Sequence, residues 1–322
     1  MKKIIIFTFL LVSLLSACGQ ADAGKPAIVC TIFPQYDWVR QILGERADDF
    51  SLVLLGNRID FHNYQPTVDD IVTISTCDLF IHIGGESDYW VDGVLANILN
   101  PDMVILDLLS LLDTDAFEET IEAIGFQHPD DHGHEDHGDG HDEHEHELDE
   151  HVWLSLANAA FFTQLITEAV ISLDPAHRET YEANAITYVN QLLTLHHQYQ
   201  EALGGADGLT VVCADRFPFY YLAADYGISY YAAFPGCSAE TEASFETVIF
   251  LAGKVDEHRL KNVIVTESSD QSIAQTIINN TADKNQKIHV LDSMQSVSAA
   301  GALETSYLRI MEENLAVLRE IF

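Results

Sequence analysis

PAHRETYEANAITYVNQLLTLHHQYQEALGG, residues 175–205, decides the fold. Its apolar residues keep helical spacing for about thirty residues, longer than an ordinary helix, and Gly204-Gly205 ends the run. On both sides, short β-rich segments alternate with helical ones. Upstream, PAIVCTIFP (26–34), SLVLL (51–55), DLFIHIGG (78–85) and MVILDL (103–108) read as strands. Between them lie YDWVRQILG (36–44), a helix opening at Thr67-Val68-Asp69-Asp70 with capping-box spacing, and DYWVDGVLANI (88–98). LANAAFFTQLITEAVISLD (156–174) leads into the long helix. Downstream, LTVVCAD (209–215), ISYYAAF (228–234), NVIVTES (262–268) and KIHVLDS (287–293) alternate with FPFYYLAADYG (217–227), ASFETVIFLAGKVDEH (243–258), DQSIAQTIINN (270–280) and a last helix from about Glu304. Strands interleaved with helices predict parallel sheets covered on both faces. The chain reads as α/β: two (β/α) lobes with parallel-sheet cores, joined by one long rigid helix, with a ligand in the interlobe cleft beyond the strands' carboxyl ends.

Outward from that frame, residues 1–17 read as a secretory signal: two lysines, an apolar stretch too short to span a bilayer, then small residues. Leu15-Ser16-Ala17-Cys18 resembles a bacterial lipobox, which makes Cys18 a lipidated first residue, with 18–25 as its tether. The alternative is a soluble exported protein with Cys18 cut away. The expected divisions are then an N-terminal lobe over 26–174, the linking helix over 175–205 and a C-terminal lobe over 206–322. A formal charge of −36, with only 15 Lys and Arg, argues against nucleic acid and anionic lipid and suits cations. Cys30, Cys77, Cys213 and Cys237 form no C-x-x-C and lie in or beside apolar runs, as buried free thiols do. Disulfides Cys30–Cys77 and Cys213–Cys237 are the alternative in an exported chain.

Residues 113–150 break the alternation, and 128–150 carry seven irregularly spaced histidines, His128 to His146, among glycines and acids, a composition that cannot bury a core. This segment reads as a disordered loop, either a weak metal collector beside the cleft or a solvated charged insertion. His151 instead opens the ordered run VWLSLANA. Polar residues following strands are few: His62, His82, Glu150-His151, Asp215-Arg216, Glu267 and Asp292. Two histidines and several carboxylates drawn from both lobes can hold a transition-metal dication; imidazole suits zinc, and added carboxylate suits manganese.

At these residues the chain resembles the metal-binding lipoproteins that deliver zinc or manganese to bacterial ABC importers. The segments VCTIFPQYDWVRQILGER, FHNYQPTVDDI, DLFIHIGGESDYWVD, DEHVWLSLANA, YLAADYGI, TESSDQSIAQTI and VLDS follow in family order across nearly the whole mature chain. The resemblance implies capture of Zn2+, with Mn2+ second, for delivery to a membrane permease by a monomeric, lipid-anchored extracytoplasmic protein. It implies His62, His151 and Asp292 as metal ligands. At the fourth position, His or Glu in the family, ungapped counting lands on Arg216, which cannot ligate a cation. Either Asp215 supplies the oxygen, the preferred reading, or water fills the place. Arg216 then pairs with a carboxylate such as Glu240, Glu242 or Glu267, and Arg216 and Glu267 are candidates for support behind the ligands. Glu267 also stands where a helix N-terminus wants an acceptor.

Other histidines have plainer readings: His82 as a satisfied strand residue, and His177, His196, His197 and His258 as solvated residues on helix faces. The sequence holds no G-x-S-x-G, phosphate loop or His-Glu-x-x-His, so no enzyme is expected. A zinc-dependent hydrolase, with an open water position and a general base, is the rival from another class. A metal-binding adhesion lipoprotein is the third reading.

Overall fold

The structure, a computed structural model, describes residues 24–56, 62, 64–112, 149–204, 208–234, 236 and 243–322. The signal segment 1–17, Cys18, the histidines from His128 to His146, Cys237, Glu240 and Glu242 lie outside the described residues.

In the first lobe, β1 (Ala27–Cys30), β2 (Ser51–Leu54), β3 (Leu79–His82) and β4 (Val104–Asp107) form a parallel sheet in the order β2-β1-β3-β4. Helices α1 (Phe33–Leu43), α2 (Val68–Thr76), α3 (Val91–Leu95) and α4 (Leu108–Leu112) follow the strands in turn. Ile28, Val29 and Cys30 of β1 and all four residues of β3 are buried, as continuous apolar strands in a sheet covered on both faces must be. Thr67 caps α2 and exchanges bonds with Asp70, the reciprocal pattern anticipated from their spacing.

The second lobe repeats the plan: β5 (Thr210–Arg216), β6 (Ser229–Phe234), β7 (Asn262–Thr266) and β8 (Lys287–Leu291) are parallel in the order β6-β5-β7-β8. Its helices are α7 (Tyr220–Tyr226), α8 (Phe245–Glu257), α9 (Ser272–Asn280) and α10 (Tyr307–Ile321).

Between the lobes run α5 (Leu156–Leu173) and α6 (Arg178–Leu203). Helix α5 is long and apolar enough to cross a membrane, yet two thirds of it is buried here, because Leu156, Phe161, Phe162, Ile166 and Val170 fill the core. Helix α6 touches both halves. Asn184 donates to Ile42 O at the end of α1 (2.9 Å), and Tyr199 donates to Met311 O of α10 (2.6 Å) while stacking on Tyr226 at 4.8 Å. One apolar core runs through both lobes. Polar ties cross it as well: Asp37 accepts from Tyr307 N (2.9 Å), and Arg40 donates to Ala302 O and Thr305 O (2.8 and 2.9 Å).

One expectation holds and one changes. Cys30, Cys77 and Cys213 are buried free thiols, as the first reading has it, and not the disulfide partners of the alternative; burial pushes the Cys77 thiol up to about 12. His196 is not solvated. Its helix face turns into the core, where Nδ1 meets Tyr226 Oη at 3.0 Å, and burial, then His197, lowers its pKa from 6.5 to about 4. Between those values the unfolded chain takes up a proton that the folded chain refuses, so stability is full above pH 6.5 and is lost as pH falls toward 4. That loss amounts to roughly 3 kcal/mol. The variant His196→Gln is expected to show a flatter decline than the native chain across this window in urea titrations; equal declines would remove His196 as the source.

Candidate metal centre

His62 lies in the connection from β2 to α2, and His151 caps the 3-10 turn Val152–Leu154 that leads into α5. The fold brings these residues, 89 positions apart in sequence, to an Nε2···Nε2 separation of 3.1 Å. The His151 side chain is fully buried and the His62 side chain nearly so.

Each ring is held by its other nitrogen. Asp149 Oδ1, 2.8 Å from His151 Nδ1, only accepts, so Nδ1–H is the donor. Ser87 Oγ is 2.7 Å from His62 Nδ1 and spends its own proton on Glu150, so Nδ1 of His62 donates too. Both Nε2 atoms are therefore acceptors aimed at each other. Two lone pairs at that separation need a cation or a proton beside them. For a tetrahedral zinc with Zn–N near 2.05 Å, the N···N edge is about 3.3 Å. The spacing fits a shared metal, and the donor set fits zinc.

The surroundings explain the placement. Gly84 and Gly85, just past β3, adopt φ +88° and +78°, and a Cβ on Gly85 would collide with Glu150. The absent side chain of Gly85 lets the Glu150 carboxylate reach Ser87 N (2.8 Å) and Oγ, while Gly84 makes room for Asp107, and burial raises the Glu150 pKa. On the other side Gly236, just past β6, would place a Cβ 3.1 Å from both Asp149 Oδ2 and His151 Cε1. Trp153 stands 5.2 Å from the His151 ring, donates Nε1 to Ser293 O (2.9 Å), and accepts from Tyr307 Oη through its carbonyl (2.7 Å). It thus ties the histidine pair to the end of β8, where Asp292 sits.

The remaining anticipated residues lie apart from the pair. Asp292 Oδ1 accepts from Met294 N (2.7 Å), and burial, then Glu267, raises its pKa to about 6. Asp215 accepts from Arg216 N (2.8 Å) and from Thr266 Oγ1 (2.6 Å). Glu267 does not cap α9, whose Ser272 N is met by Asp270; it braces Ser293, accepting from its N (2.9 Å) and Oγ (3.0 Å). Among the described residues no three His, Cys, Asp or Glu side chains are gathered closely enough to hold a metal. His82 is buried at the end of β3, 3.6 Å from Asp88, with Nδ1 lacking a hydrogen bond, so it is not the satisfied residue expected. The roles of Ser87 and Asp149 were missed; the glycine pair after a strand and the contiguous Asp149-Glu150-His151 are the signals that carry them.

A family model described as "Zinc-uptake complex component A periplasmic" matches residues 28–321. The chain belongs to this family. Among its relatives, the zinc-binding lipoprotein AdcA of Streptococcus pneumoniae is 30% identical over 99% of the chain, which spans only 61% of that longer protein. The high-affinity zinc uptake system protein ZnuA of Bacillus subtilis is 26% identical over 95% of the chain and 93% of its own length. The Zn(II)-bound ZnuA-like domain of S. pneumoniae AdcA superposes with a TM-score of 0.69 at 25% identity, covering 92% of this chain and 99% of that domain. The periplasmic zinc-binding protein TroA of Treponema pallidum, at 19% identity, shares the fold with a TM-score of 0.70 over 92% of this chain and 99% of its own.

If Asp149 and the Ser87–Glu150 pair fix the ring orientations, Asp149→Asn and Ser87→Ala should each weaken zinc binding about 10–100-fold, the usual cost of losing an orienting partner of a ligand histidine. Competition titration against a chromophoric chelator measures this. Unchanged affinity in both variants would show that the rings need no such support.

Proposed function

We infer that this chain captures zinc outside the cytoplasm and delivers it to the membrane permease of an ABC importer. The observation that carries the reading is the pair of opposed Nε2 atoms of His62 and His151, each oriented from behind, in a zinc-uptake family member. Zinc is the cargo; manganese comes second, because imidazole pairs favour zinc. Asp292 is the carboxylate we assign as third ligand, since Trp153 couples its neighbour Ser293 to the histidine pair. Asp215 is assigned as the fourth, with water as the alternative, and Arg216 and Glu267 support the ligands from behind. Bringing the two aspartates onto the ion requires local rearrangement at the ends of β5 and β8.

The reading as a carrier rather than a hydrolase rests on the carboxylates around the pair. Asp149, Glu150 and Glu267 each accept hydrogen bonds that orient neighbours, leaving none of these three poised as a general base. Anchoring through a lipid on Cys18, action as a monomer, and weak metal collection by the histidines from His128 to His146 complete the proposal; the relatives named lipoproteins support the first. The lobe limits 26–174 and 206–322, flanking 175–205, belong to the same reading.

Calorimetry on metal-free protein tests it. One tight zinc equivalent is expected, lost in His62→Ala/His151→Ala, weakened in Asp292→Asn and Asp215→Asn, and retained when 128–146 is deleted, with only weaker equivalents disappearing. A tight site surviving the double histidine variant would refute the assignment; unchanged affinity in Asp215→Asn would leave water as the fourth ligand.

A further inference from the structure

Residues 183–200 of α6 contain no Asp, Glu, Lys or Arg, in a chain with 20% charged residues and a formal charge of −36. Thr187, Asn190, Gln191, Thr194 and Gln198 face solvent there, with His197 as the one titratable group on that side and Ile186 63% exposed among them. Beside this stripe a groove of about 590 Å³ runs between α5 and α6, walled by Phe161, Leu165, Ala185, Ile186 and Val189. Glu168 is the single charged residue of α5, and Arg178 meets it at 3.6 Å and Glu182 at 3.0 Å. A surface helix of an acid-rich protein ordinarily presents charge to solvent, and an uncharged face with an apolar groove marks a place of contact.

The start of the chain lies beside this face. Lys25 donates to Asp48 O, and Pro26 O accepts from Ser51 N (2.9 Å). These residues adjoin the junction of α5 and α6: Arg46 stands 2.8 Å from Asp49 and 3.8 Å from Asp174, and Phe50 packs edge-on against Tyr181 at 6.3 Å. Ile186 follows Tyr181 on the same helix, about 7.5 Å along its axis. Cys18 precedes Gly24, the first described residue, by a span of at most about 20 Å. A lipid on Cys18 therefore keeps the bilayer close to this corner, at the amino ends of β1 and β2, while the histidine pair stands beyond the strands' carboxyl ends.

Charge selects the occupant. A bilayer containing anionic lipid repels a free chain of −36, but an anchored chain cannot leave, so repulsion turns it instead of expelling it. The face turned inward is the uncharged one, and Lys25, Arg46 and Arg178 lie at the same corner. Thr, Asn and Gln side chains can sit among headgroups while Ile186 and the groove take up acyl-chain surface. A contact too weak to hold a free protein suffices for one held at high effective concentration by its tether. A second copy would bring two chains of −36 together with no tether to help.

We propose that the uncharged face of α6 and the groove between α5 and α6 form a membrane-resting surface, on which the lipid-anchored protein lies while it collects zinc. This rests on the reading of Cys18 as the lipid anchor. The test uses the full lipidated chain in a Cys237→Ser background, reconstituted into vesicles of phosphatidylglycerol and phosphatidylcholine. A nitroxide is placed on Asn190→Cys or, as a control, on Thr276→Cys; Thr276 is exposed on α9, which packs on the opposite face of the second sheet from α6. Cys30, Cys77 and Cys213 are buried and stay unlabelled. Power saturation reads collisions with a water-soluble nickel chelate and with oxygen, which concentrates in lipid. Relative to the unlipidated chain in solution, the label at 190 should lose nickel collisions and gain oxygen collisions, and the label at 276 should change in neither. Adding Ile186→Glu and Thr187→Glu should return the label at 190 to its solution values with zinc affinity native. Equal nickel access at 190 in the anchored and free chains, or an equal loss at both positions, overturns the proposal. So does protection at 190 in the unlipidated chain with concentration-dependent dipolar broadening, which assigns the face to a second copy. Mass spectrometry of the mature protein separates the two readings: no lipid on Cys18 sinks the anchor itself, whereas lipid with an exposed label at 190 sinks the resting face alone.

Discussion

Two imidazoles anchored through Nδ1 and pressed together through Nε2 set the terms for everything around them. In water each ring nitrogen would be solvated; here the Nε2 atoms of His62 and His151 lie 3.1 Å apart among largely buried side chains. With both Nδ1 atoms donating, a cation or a proton shared by the two Nε2 atoms makes that contact favourable. The carboxylates behind the rings strengthen the effect, because Asp149 and the Ser87–Glu150 pair fix the tautomers and add negative charge close to the nitrogens. Such a pairing is kept only where the surroundings hold both rings in place.

The surroundings do so through both lobes. His62 rides on the first sheet, after β2, while His151 sits where the chain enters α5, against Gly236 beyond β6 of the second sheet. Trp153 locks the His151 segment to the end of β8 and, through its carbonyl, to α10. The long helix α6, bonded to α1 by Asn184 and to α10 by Tyr199, keeps the two sheets at a fixed spacing. One apolar core runs through both halves, and Asp215 and Asp292 stand at the ends of β5 and β8, each held by hydrogen bonds.

The fold was legible because its signals are local. Continuous apolar strands, the Thr67–Asp70 capping box and the thirty-residue periodicity ending at Gly204-Gly205 follow from nearest-neighbour chemistry, and each appears where its residues put it. His62 and His151 were legible from their position after strands and from resemblance to a family. What the sequence concealed depends on side-chain direction. His196 looked solvated because its helix is polar overall, yet its face turns toward Tyr226. Glu267 looked like a helix cap, but Asp270 is better placed and Glu267 reaches Ser293 instead. The support given by Ser87 to His62 depends on Gly85 leaving space for Glu150, which only the folded backbone reveals.

The central claim is that one ion sits on both imidazoles. X-ray absorption at the zinc edge, on protein loaded with a single equivalent, tests it most directly. The account predicts two imidazole ligands at about 2.0–2.1 Å with oxygen completing the shell, and loss of the imidazole scattering in His62→Ala/His151→Ala. A spectrum with one imidazole or none, or one unchanged by the double substitution, would contradict it.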